Sequence, residues 1–226
     1  MTVIDVEPGV WDMTVNRPGL PGDLPSAEVL WARWALVAVL EATTADERAG
    51  HHRTGTWVDD EGLHLDDAGC TWWAFAQRGA GRYVLYGEDE SSQVKWHEPP
   101  VDTLAGAPAW LPHERLRDLL EGCELGCVYW YENGTWARAP YPSTLKDDGL
   151  DCGVSRFVDR TDVLQVIADE DHGALPAHDA ATLLDHAESY RLTQDLLFSL
   201  ATGLDRRAPQ RPAMVRAWER ANLQRP

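Results

Sequence analysis

From Ala27 to Ala42 the chain is apolar at nearly every position, interrupted only by Glu28, Arg33 and Glu41. Apolar residues all round the circumference predict a helix buried on more than one side, sandwiched between a sheet and other helices, and Ser26 stands where an N-cap belongs. The run is too short for an ordinary membrane span and carries an arginine in its middle, so it reads as a core helix. Ahead of it, residues 1–25 are rich in proline and glycine and read as an extended arm, pinned to the body by Trp11 and Val15.

Beyond the helix the period of the pattern drops to two. Thr54–Val58 and Leu63–Leu65 flank Asp59-Asp60-Glu61-Gly62, a hairpin signal. Thr71–Gln77 and Arg82–Tyr86 flank Arg78-Gly79-Ala80-Gly81, a second hairpin whose loop needs its glycines for positive φ. Within Thr71–Gln77 the alternation sends Trp72, Ala74 and Ala76 to one face and Trp73, Phe75 and Gln77 to the other. An indole on each face predicts a central strand. Gln93–Trp96 reads as a further short strand before Pro99-Pro100. His113–Glu121 predicts a helix between Pro112 and Gly122. Cys127–Glu132 and Thr135–Ala139 flank Asn133-Gly134, the strongest hairpin signal in the chain.

After Pro140, Pro142 and the acidic loop Lys146–Asp151 the pattern turns helical, over Thr161–Ala168, Ala177–Tyr190, Thr193–Ala201 and Pro212–Leu223. The expected class is therefore α+β: an antiparallel sheet of about six short strands with a buried N-terminal helix and a C-terminal helical extension. The expected division is an acidic body over 1–171 and an extension over 172–226 packed on it.

Composition changes this picture in two ways. Hydrophobic residues make up 44% of the chain, enough for a packed core. Its 11 Trp against 3 Phe make indoles the main aromatic filling. Each buried indole needs an acceptor for its N–H, which predicts several rings at the edge of the core.

The net charge of −17 is unevenly spread. Residues 1–171 carry net −18, whereas 172–226 carry net +1, with six arginines between 203 and 226. A surface of that sign repels phosphate backbones and argues against nucleic-acid binding by the body. It suits solubility, or attraction to a basic partner.

Four cysteines, Cys70, Cys123, Cys127 and Cys152, lack the context of a disulfide framework, because Met1–Val10 carries acids and no apolar core and does not read as a signal peptide. Cys123 and Cys127 have metal-ligand spacing without a second pair to complete a site. Free, mostly buried thiols in a cytoplasmic protein are expected, with no metal and no cofactor.

Candidate chemistry is confined to carboxylates and indoles. Asp59-Asp60-Glu61, Asp66-Asp67, Glu88-Asp89-Glu90 and Asp169-Glu170-Asp171 fall at element ends, where such residues commonly cap and solvate turns. Paired carboxylates beside Trp platforms also suit a glycosidase or another sugar-binding protein. Asp147-Asp148-Gly149-Leu150-Asp151 lacks the spacing and distal glutamate of a calcium loop. His51-His52 and His172 read as loop residues. Nucleophile-elbow, phosphate-loop, dinucleotide and zinc-protease motifs are absent from the sequence.

The C-terminal helix, with Arg216, Trp218 and Arg220, suits docking on its own acidic body or on a partner. In general type the chain looks like bacterial immunity and antitoxin proteins, although no motif carries that likeness. The expected function is a non-enzymatic, immunity-type interaction protein that binds a basic protein partner, such as a toxin. Asp59, Asp60, Glu61, Glu88, Asp89 and Glu90 would steer the encounter, with Trp72, Trp73 or Trp96 as anchor. The alternative is a carboxylate-dependent hydrolase or a carbohydrate-binding protein.

Overall fold

Six strands pair antiparallel in strict chain order: β1 (Gly55–Val58), β2 (Leu63–Asp66), β3 (Thr71–Gln77), β4 (Tyr83–Asp89), β5 (Cys127–Glu132) and β6 (Thr135–Arg138). The computed structural model describes residues 15–43, 53–79, 81–170, 175–201 and 211–225. Trp11, the His51-His52 pair, Ala80, Asp171 and His172 lie outside the described residues, as does the side chain of Glu170. Around the sheet lie α1 (Ala27–Glu41), α2 (His113–Glu121), α3 (Asp151–Val154), α4 (Arg160–Glu170), α5 (Ala177–Glu188), α6 (Gln194–Leu200) and α7 (Arg211–Ala221). With 42% helical and 18% strand residues, the class is α+β.

The meander follows from its turns. Asn133 and Gly134 both take positive φ (54° and 79°), the geometry that a two-residue hairpin between twisted strands requires. β3 pairs along its length with β4 and with β2, which makes it the central strand that its two-sided indoles predicted. One short element differs from expectation. Val94–Trp96 is a turn of 3-10 helix, not a strand. β4 runs on to Asp89, and β5 already occupies its free edge, so the segment has no strand to pair with.

Each face of the sheet is covered. On the first, Leu63, Leu65, Trp73, Phe75, Tyr83, Leu85, Tyr129 and Tyr131 join α1 in the main core. Ser26 caps α1 through Val29 N–H, and ten of its fifteen residues are buried. α4, α5 and α7 pack on its other sides, which is why its apolar surface has no polar stripe. On the second face Ala74, Ala76, Val84, Tyr86, Val128 and Trp130 meet Leu111, Leu116 and Leu125 from α2 and its flanks.

Several indoles lie at the edge of the core as expected, with Trp57, Trp72, Trp110 and Trp218 half-buried and Trp96 exposed, while others lie inside it. Trp34 and Trp73 are fully buried, and Trp31 and Trp136 nearly so. Each satisfies its N–H with a backbone carbonyl: Trp31 to Ala221 (2.8 Å), Trp34 to His64 (3.2 Å), Trp73 to Cys152 (2.7 Å) and Trp136 to Pro25 (2.6 Å). A helix end, a loop, a strand and the α3 segment supply these carbonyls, so each of the four rings sits in the interior with its donor met.

Candidate functional site

The acidic clusters occupy opposite ends of the sheet. Asp59-Asp60-Glu61 forms the β1–β2 turn, closed by the Asp59 N–H to Gly62 carbonyl bond at 2.9 Å. There the carboxylates are met by the chain itself. Asp59 accepts from His64 Nε2 at 2.9 Å and from the Glu61 and Gly62 amides. Burial opposes its ionisation, but these bonds outweigh it and hold its pKa down at about 2. Asp60 pairs with Arg220 of α7 at 3.1 Å, and Glu61 with Arg115 of α2 at 3.0 Å. The steering charge expected of this turn is thus partly neutralised in cis.

The other end carries a groove of about 620 Å³. Its floor is set by pairing register. Asp66 of β2 lies opposite Trp72 of β3, and Trp72 lies opposite Glu88 of β4. Directly opposed residues project to the same face, so a carboxylate flanks the indole on each side. Trp72 rests edge-on against Tyr86, with ring centroids 6.0 Å apart. Arg53, Glu124, Cys70 and Cys123 complete the walls. Glu88 accepts from Lys95 through Oε1, while its Oε2 is buried without a hydrogen-bond partner. Lys95 Nζ also lies 5.5 Å from the ring centroid of Trp96, which is 72% exposed. Lys95 thus links Glu88, at the groove, to the exposed ring of Trp96.

Other expected site residues sit elsewhere. Trp73 is interior and unavailable to a partner. Asp89 is buried: its carboxylate accepts from Thr71 Oγ1 and from the Ser91 amide (2.9 Å). Burial works against its charge, but the bonds from Ser91 and Thr71 prevail and lower its pKa. Glu90 is exposed beside Cys70 and hydrogen-bonds that thiol, which raises the thiol pKa.

The thiols are not mostly buried. All four are free; Cys70 and Cys123 are exposed, Cys152 is half-buried and only Cys127 is fully enclosed. Burial pushes Cys152 up to about 11 and Cys127 well above its usual value, so with Cys70 three of the four are held as thiols rather than activated thiolates. Among the described residues no three His, Cys, Asp or Glu side chains are grouped to hold a metal ion.

The sequence pattern missed one polar centre. Asp147, Asp148 and Asp151, in what reads as an acidic loop, turn inward. Asp148 accepts from the Gly19 amide (2.9 Å) and the Tyr129 hydroxyl (2.8 Å), and Asp151 accepts from Arg17 Nε at 2.7 Å. Burial raises the Asp148 pKa. These carboxylates fasten the arm around residues 17–19 to the body, and none of the three lines the groove. A hydrolase working in the groove would thus have to recruit its proton donor from other residues than this raised carboxyl. No protein-family model matches the chain, and no curated protein or solved structure matches it either.

Proposed function

We propose that this chain is an acidic interaction protein that binds a basic protein partner at the end of the sheet bearing Trp72 and Trp96. The observation that carries the reading is the groove in which Asp66 and Glu88 flank Trp72. Beside it stands Trp96, an exposed indole of the kind that anchors interfaces. Net −18 over residues 1–171 supplies long-range attraction, which mainly speeds capture. An immunity-type role suits this chemistry, because a toxin acting on nucleic acid carries the complementary basic surface.

The test is direct titration of the chain with small basic proteins at increasing salt. Binding should weaken about tenfold or more between about 0.05 and 0.5 M salt, as screening shortens the reach of the charges. Trp96→Ala should slow or abolish capture. Capture indifferent to salt and to both indoles would sink the proposal.

A further inference from the structure

We infer that the groove is a receptor for an arginine side chain of the basic partner. This rests on the acidic-partner reading and supplies the chemistry of recognition. Three neighbouring strands place Asp66, Trp72 and Glu88 in one cross-strand row. Strands lie about 4.8 Å apart, so the two carboxylates are rooted about 10 Å apart with the indole between them. A planar guanidinium stacked on Trp72 donates from two edges, with each N–H···O⁻ bond spanning about 2.8 Å, and so reaches towards both walls. An ammonium group is a compact point charge and settles against one wall only.

Glu88 adds an independent indication. Its Oε2 has no hydrogen-bond partner in the folded chain although it is buried. An unmet buried acceptor costs free energy, and a donor recovers it when the Glu88 side chain, which lines the groove and is paired with Lys95 through Oε1, turns Oε2 towards the groove. The rim already contains a pairing of the same kind: Arg53, which lines the groove, sits 5.3 Å from the ring centroid of Trp57. The groove volume, about 620 Å³, accommodates a side chain together with the backbone that presents it.

The experiment titrates the full chain calorimetrically with an arginine homopeptide and a lysine homopeptide of equal length, at about 0.15 M salt. The arginine peptide should bind about five- to tenfold tighter, the scale of a partly desolvated cation–π contact. Trp72→Leu should bring the two affinities together while the fold is checked by circular dichroism. Should that variant unfold, Asp66→Asn carries the same test, because its amide oxygen still accepts the Ala68 N–H that Asp66 Oδ1 accepts at 2.7 Å. Its arginine-to-lysine ratio should fall towards one. Equal, salt-sensitive binding of both peptides to the unaltered chain overturns the arginine inference and leaves the acidic-partner reading standing. Binding of neither peptide overturns both.

Discussion

Burial works against the charge of Asp59, but the bonds it receives from the His64 imidazole and the Glu61 and Gly62 amides, alongside one from the Trp57 indole, prevail, and its pKa lies near 2 rather than 3.8. A carboxylate whose folded pKa is depressed stabilises the fold above its unfolded pKa and loses that contribution as pH falls through the folded one. Asp59→Asn should therefore lower stability at neutral pH, by about 1 kcal/mol for a site this open to solvent. The gap from the unaltered chain should close between pH 3.8 and about 2, as read from denaturant midpoints across that window. Trp96→Ala should behave in the opposite manner. At 72% exposure its ring buries little, so stability should change by less than about 0.5 kcal/mol while partner capture suffers. Residue types alone did not separate these cases. Asp59 and Asp89 read alike as turn acids and Asp148 as part of an acidic loop, yet Asp148 finds its partners in Gly19 and Tyr129, 129 and 19 residues away. Which carboxylate is exposed depends on where the chain returns, and a local pattern does not encode that.

The secondary-structure elements were far more legible, because their signals are local. β3 and β5 and the helix α2 fall where turn residues and periodicity put them, and α1 ends within one residue of its expected limit. Val94–Trp96 is the instructive failure, since strand formation needs an available edge and not only suitable residues. The groove was half legible: alternation placed Trp72 opposite in face to Trp73, but the register that sets it between Asp66 and Glu88 appears only on pairing. That register depends on Gly87. A Cβ there would lie 2.2 Å from the Trp72 carbonyl oxygen and 2.7 Å from Trp73 Cε3. Gly87→Ala should push β3 and β4 apart and cost about 3 kcal/mol, as overpacking of a closed core does. It should also weaken partner binding, because the same shift separates Trp72 from Glu88. A denaturant midpoint close to that of the unaltered chain would show that the two strands can part without loss.

At the scale of the whole molecule two electrostatic terms compete. The chain has 37 acids against 20 lysines and arginines, so its surface repels itself. Part of that charge is offset in cis: α7 docks by the Trp31 N–H to Ala221 carbonyl bond and brings Arg220 to Asp60, while Arg160 bridges Asp185 and Glu188. The exposed ones among these pairs contribute about 0–1 kcal/mol each, and screening removes most of it. The repulsion is spread over many unpaired carboxylates, and screening relieves it everywhere at once. Repulsion should win. Raising salt from about 0.02 to 0.2 M at neutral pH should increase the thermal midpoint by about 2–4 °C, roughly 1 kcal/mol for a chain of this size. The same change should weaken capture of a basic partner, so stability and binding should respond to salt with opposite signs. A midpoint that falls with salt would mean that the internal pairs already neutralise the surface, and little unpaired charge would remain to draw a partner to the Trp72 groove.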